Sequence, residues 1–342
     1  MWIRDHEPEI YANTYKMLLA KDYIICRLTG EFVTDYSEAS GTDAFDLHKM
    51  EWSGEILKAA EIDQEKMPEL HASVDVIGKL TEDAAKALGL TQETKVVCGG
   101  GDGPCSALGA GSFQNGQHFL SFGTSAWIAG TSDRVFLDKE KTLICFGHVI
   151  TGKYMPCGTM QAAGSSYSYI RRALCKEEEK MAKEKGQSVY EVLNQLVMES
   201  PAGARGLVFL PYLLGERSPR WNPDTSGSFL GIKMEHEKCD YVRAVLEGVA
   251  MNLDIILTAH RENVSINELV LTGGGAKGDV VAQILADVLE LPLYRLDHVE
   301  SATSIAAATI AGVGVGVFDD FSVVDQFVKR EKVFEPNSEN RE

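Results

Sequence analysis

Three glycine-rich segments, with the carboxylates among them, are the parts of this sequence whose residue types and spacing could do chemistry. The first, VVCGGGDGPCSALGAG (96–111), takes a buried strand into Gly99-Gly100-Gly101, then Asp102, Gly103 and Pro104. Proline suits the first turn of a helix, and adjacent glycines let backbone pass close to whatever faces it. A helix start offers unpaired N–H groups and a positive dipole end, which suit phosphate and keep Asp102 ionised. A tight turn capped by an aspartate fits the same residues equally well. The second segment, FLSFGTSAWIAG (119–130), gathers Gly123, Thr124 and Ser125 at a turn, as a phosphate cradle or as an ordinary hairpin. The third, ELVLTGGGAKGDVVAQILADVLELPLYRLD (268–297), runs strand, Gly273-Gly274-Gly275, helix, strand. Asp297 stands about 20 residues beyond the glycines, so the dinucleotide fingerprint is formally met. Such fingerprints open their domain, however, and too little chain follows Gly278 for the rest of that sheet. An NAD-dependent oxidoreductase is therefore the remote alternative, and a nucleotide in a glycine notch ahead of a helix the better reading. GGGAKG lacks the spacing of a P-loop.

The elements that must position these segments divide the chain in two. Residues 7–29 have helical spacing, with Tyr11, Tyr15, Leu18, Leu19 and Ile25 on one side and Gly30 as C-terminal cap. Glu31 to Trp52 reads as loop with a short strand around Phe32 to Thr34. Short helices near 53–61 and 82–89 follow, so the first hundred residues read as mainly helical, ending in one strand, Thr94 to Cys98. Beyond them, Gln117–Phe122 with Ser125–Thr131 and Leu143–Ile150 with Lys153–Cys157 read as two strand pairs. A helix at Ser165–Leu174, a charged one over KEEEKMAKEK and a buried strand at Gly206–Pro211 lead to a long amphipathic helix, Asp240–His260. The order then alternates strand and helix to about Gly312. A hairpin layer followed by alternating β and α is what a ribonuclease-H-like or actin-like ATPase lobe would give.

Length and charge bound the function classes. The 342 residues suggest two domains, and 44% hydrophobic with 24% charged residues is ordinary for a globular protein. With 33 basic against 50 acidic residues the net charge is −17, which excludes nucleic acid and anionic membranes as expected partners. Seven cysteines are spread singly and no HxxxH or CxxC occurs, so buried free thiols in a reducing cytosol are expected, with no zinc site. The first residues are too polar for a signal peptide. Ser301–Phe318 is uncharged but rich in Ala, Gly, Ser and Thr, which suits a helix packed closely on a sheet. The protein reads as cytoplasmic.

Several ordered motifs, FLPYLLGERSPRWNP, LSFGTSAW, LTGGGAKG and above all GSFLGIKMEHEKCDYVRAVLEG, together resemble the FGGY carbohydrate kinases over essentially the whole chain. GSFLGIKMEHEKCDYVRAVLEG (227–248) looks like that family's C-terminal signature, with Tyr241 where an aliphatic residue or Phe is usual. FLPYLLGERSPRWNP (209–223), LSFGTSAW (120–127) and LTGGGAKG (271–278) are further matches, and KDYIICRLTGEFVTDYSEASGTDAFDL (21–47) is most like the xylulokinases within the family.

The resemblance implies an α/β, actin-like ATPase (ribonuclease H-like) fold, with ATP and sugar in the cleft between two lobes. It implies Asp102 as catalytic base, Gly123 and Thr124 as phosphate contacts with Ser125 adjacent, Gly164 beside the nucleotide, and Gly274, Gly275 and Asp279 on the adenosine side. ATP and Mg2+ would be the cofactors, with the metal's ligands unassigned, and D-xylulose, converted to its 5-phosphate, the leading sugar. Asp102 should share one pocket with the notches at 123–125 and 273–275. The family's other signature begins only at Trp2-Ile3-Arg4-Asp5-His6, directly after Met1, so the N-terminal lobe reads as incomplete, lacking the DxGT-type phosphate loop. The expected division is residues 1–102 as the remnant of the N-terminal, sugar-binding lobe, 103–335 as the C-terminal nucleotide-binding lobe and 336–342 as a polar tail. An alternative follows: an inactive or split fragment that binds nucleotide weakly or acts only as an assembly partner. A separate N-terminal half or a second copy in a homodimer would then be its partner.

Overall fold

The central sheet has seven strands, in the order Arg330–Phe334, Leu293–Leu296, Leu269–Thr272, His118–Phe122, Ala126–Gly130, Tyr154–Met160, Ile144–Gly147. The structure, a computed structural model, describes residues 1–297 and 301–340. Leu269–Thr272 runs parallel to both Leu293–Leu296 and His118–Phe122, and the remaining neighbours are antiparallel. Phe119 and Leu120 are both fully buried although they point to opposite faces, so the sheet is covered on both sides.

Each face has its own cover. Leu120, Ile128 and Met160 meet Val245, Val249, Leu253 and Ile256 of the long helix Lys238–Arg261, with the helices Gly164–Leu174, Val189–Met198 and Asp279–Leu289 around it. Phe119, Ala129, Met155 and Cys157 meet Ala107 and Ala110, at the end of the helix Asp102–Gly109. That helix is crossed by Ala302–Gly314, and the crossing is tight: a Cβ at Gly109 would lie 1.8 Å from the Ala302 carbonyl oxygen. The small-residue run thus packs closely, as expected, but against a helix. Among the described residues no helix is long and apolar enough to cross a membrane.

The first hundred residues hold more strand than their spacing suggested. The strands expected near 32–34 and 94–98 are found as Val33–Asp35 and Lys95–Val97, and each gains an unforeseen partner, Glu69–His71 in parallel and Val76–Lys79 antiparallel. The single helix expected over 7–29 is broken. Pro8–Asn13 and Ala20–Thr29 are helical, but residues 14–19 are not, because Lys16 ties its ammonium to the carbonyls of Glu65 and Met67 and Met17 N–H binds that of Lys66. Gly30 caps the second helix at φ +88°, in the left-handed region. The tail is anchored further than expected: Asn337 and Asn340 both donate to Asp287, while residues 341 and 342 lie outside the described residues.

Candidate active site

Strand register brings two of the glycine segments together. Thr272 pairs beside Ser121 on parallel strands, so the chain leaves both strands at the same edge of the sheet, one into Gly273 and the other, past Phe122, into Gly123. Ligand crevices in α/β sheets lie at such carboxyl ends. Gly273 sits at φ +88°, and a Cβ there would lie 2.7 Å from the Phe122 carbonyl oxygen. At Gly275 a Cβ would fall 2.2 Å from the Phe122 ring. Only glycine lets this loop lie down on its neighbour.

The third wall is the start of Gly164–Leu174. Gly164 N–H donates to the Gly123 carbonyl at 2.9 Å, and the N–H groups of Ala163 and Ser165 donate to the Thr124 carbonyl at 3.1 and 3.0 Å. A Cβ at Gly164 would stand 2.5 Å from the Gly123 oxygen. The buried Glu216, from the GERSPRWNP loop, holds the approach to this corner by accepting from Gln161 N–H at 3.1 Å and from Asn252 at 3.0 Å. Burial pushes the Glu216 carboxyl up, and these donors act against that shift.

Together these backbones enclose a cavity of about 530 Å3, lined by Gly123, Thr124, Gly164, Gly274, Gly275 and Lys277 and closed outward by Tyr167, Ser168, Tyr190, Asn194 and Val281. Its size suits a small-molecule ligand. A Cβ at Gly274 would meet no protein atom within 4 Å, so the space before that backbone is open. Tyr190 and Asn194 were missed in the sequence. They ride on Val189–Met198, whose buried Val192, Leu193 and Val197 and N-cap Ser188 carry a helical signal beside the highly charged stretch that precedes it.

Ser125, Asp279 and Asp102 do not line this cavity. Ser125 is exposed, and its carbonyl closes the turn by accepting from Gly123 N–H at 2.9 Å. Asp279 turns to the outer strands, where Lys332 at 2.6 Å and Arg295 at 2.7 Å hold its carboxyl below the usual range. Asp102 is the first residue of a helix on the other face of the sheet, and its carboxylate is exposed, accepting from Gly103 N–H at 2.7 Å. The glycine notches thus share one cavity with each other, and Asp102 stands outside its lining. What lies near Asp102 is the helix Tyr36–Ser40 of the first hundred residues. Burial raises the Glu38 carboxyl there, with Lys21 opposing the rise and Asp35, Asp22 and Asp102 adding to it. Among the described residues no three acidic, histidine or cysteine side chains converge on a metal position.

Comparison with known proteins gives this geometry its context. The N-terminal domain of the FGGY family of carbohydrate kinases matches residues 1–109, and the C-terminal domain of that family matches residues 125–315. A xylulose kinase of Staphylococcus epidermidis is 35% identical over 344 residues, covering 100% of this chain and 67% of the relative. A gluconokinase of Bacillus subtilis is 32% identical, covering 96% of this chain and 64% of the relative. The solved xylulose kinase from Lactobacillus acidophilus superposes with a TM-score of 0.91 at 30% identity, over 99% of this chain and 67% of that one. The chain thus spans about two thirds of the length of the relatives it matches. Two family domains in sequence, and a near-complete superposition, establish that this chain belongs to the FGGY family of carbohydrate kinases.

Proposed function

We propose that the chain takes part in ATP-dependent phosphorylation of a sugar hydroxyl, with D-xylulose as the sugar and D-xylulose 5-phosphate as the product. The observation that carries this reading is the cavity walled by Gly123, Thr124, Gly164, Gly274 and Gly275. Its fit to ATP rests on open space before Gly274 and on backbones brought too close for side chains at Gly164 and Gly275. ATP, together with Mg2+, would supply the phosphoryl group. Lys277, Ser168 and the Thr124 turn are the polar groups nearest to hold it.

Asp102 is the base in this reading. Its exposed carboxylate would accept the proton of the sugar hydroxyl as that oxygen forms its bond to phosphorus. Phosphoryl transfer asks mostly for positioning and charge neutralisation: the carboxylate and the backbone cradle would position the groups, and Mg2+ would neutralise the phosphate charge. We place the division between sugar-side and nucleotide-side lobes at residue 102, with 103–335 carrying the nucleotide. Xylulose is favoured over gluconate because the xylulose kinase of Staphylococcus epidermidis is 35% identical and the gluconokinase of Bacillus subtilis 32%. ADP release measured with xylulose, gluconate and glycerol in parallel tests the assignment. Xylulose should lead by at least about tenfold, a difference of about 1.4 kcal/mol in transition-state binding. Equal turnover of the three would reject the sugar assignment.

A further inference from the structure

We infer that Asp35 is a positioning residue for Asp102: through Lys21, Ser37 and Ser73 it clamps both ends of the Cys98–Gly101 loop that delivers that acid. The inference rests on Asp102 being the base of the proposed reaction. Asp35 ends the strand Val33–Asp35, caps the helix Tyr36–Ser40 and is completely buried. Its Oδ2 accepts from the Ser37 hydroxyl, from the Ser37 N–H at 3.0 Å and from the Ser73 hydroxyl at 2.7 Å. Its Oδ1 lies 3.2 Å from the Lys21 ammonium.

Each of these partners then grips the loop. Lys21 donates to the Cys98 carbonyl at 3.4 Å. The Ser73 carbonyl accepts from Gly99 N–H at 2.9 Å. The Ser37 hydroxyl accepts from Gly101 N–H at 2.9 Å. Ser37 can accept there because its own proton is committed to Asp35, so the buried carboxylate sets the direction of the hydroxyl's lone pair. Burial alone would lower the Lys21 pKa, but the charge of Asp35, with that of Asp22, raises it, so the ammonium stays charged.

The loop has no slack to absorb an error in this clamp. A Cβ at Gly100 would come 2.4 Å from Val149 and 3.1 Å from the Ser37 hydroxyl, and one at Gly101 would come 2.9 Å from the Glu38 carboxylate. The next residue is Asp102. A carboxylate one residue beyond a fixed N–H is aimed by that N–H, and misplacement by about 1 Å can cost on the order of 10²-fold in rate.

Hydrogen exchange on the full chain, read by mass spectrometry, tests the clamp without requiring turnover. In Asp35→Asn the peptide covering 95–103 should exchange at least about tenfold faster, with the Lys238–Arg261 helix unchanged. Ser37→Ala, which removes one grip and leaves the charges in place, should loosen the Gly101 amide alone. Unchanged exchange of 95–103 in both variants would overturn the clamp. In the kinase assay Asp35→Asn should lower kcat by about 10- to 100-fold with the KM for ATP within about twofold. A rise in KM with kcat unchanged would overturn the positioning role. Asp102→Ala assayed alongside separates the two readings, since its retained activity would sink the base assignment while the exchange result still decides the clamp.

Discussion

Asp102 owes its character to being the first residue of its helix. It looks outward, it is solvated, and its one near donor is the N–H that follows it. Its contribution lies in what it meets when substrate arrives. Asp102→Asn keeps the shape and removes the basicity, so kcat should fall by about 10²- to 10⁴-fold. ATP affinity, measured by calorimetry, should stay within about twofold, because the carboxylate does not line the glycine cavity. The neighbouring thiols are of another kind. Burial raises Cys98 and Cys105 to about 12, which keeps them protonated and inert beside Asp102.

At the scale of elements, the strand His118–Phe122 carries a titratable group into the core. His118 is buried against the His260 ring, its Nδ1 faces the Gly116 carbonyl at 2.9 Å, and its Nε2 has no partner. Burial lowers its pKa to about 4. The folded chain then binds fewer protons than the unfolded chain between about pH 4 and 6.5, so stability is full above that window and falls with pH through it. His118 alone should cost about 3 kcal/mol by pH 4. Denaturant midpoints across this range should therefore fall less steeply in His118→Phe than in the natural chain, and equal slopes would refute the assignment. The same strand explains what the sequence could and could not tell. Its alternation with Ala126–Gly130 around a Gly-Thr-Ser turn was legible, as was the long helix through Val245, Val249 and Leu253. The antiparallel edge strand Arg330–Phe334 was not. It falls inside the lobe expected over 103–335 but carried no strand signal there, and its Arg330 and Lys332 pair with Glu268 and Asp279, far away in sequence. Nor was the break at residues 14–19, made by the distant carbonyls that Lys16 and Met17 bind. In the site, each glycine notch could be read singly. Their meeting depends on the register of Thr272 with Ser121, and Asp102 was set apart by the sheet face its helix chose.

For the whole molecule, a net charge of −17 repels an anionic nucleotide, so attraction has to come from the lining of one cavity. Ligand that binds only the folded chain stabilises it by about 2.7 kcal/mol at 100 times Kd. Thermal unfolding should therefore shift upward with Mg-ATP by several degrees and not at all with NAD. Gly275→Val, which drives a side chain into Phe122, should abolish the shift with ATP. An unaltered shift in that variant would show that the nucleotide lodges elsewhere.

The close crossing of Gly109 with Ala302 turns the Asp102–Gly109 helix into a ruler. One end is pinned where no methyl fits, and the other presents the acid. A single residue inserted between them would carry the carboxylate about 1.5 Å along the axis and swing it by about 100°. Chain length over this one stretch is thus as strict a requirement as the identity of the acid, and lineages that keep the chemistry should admit no gaps there.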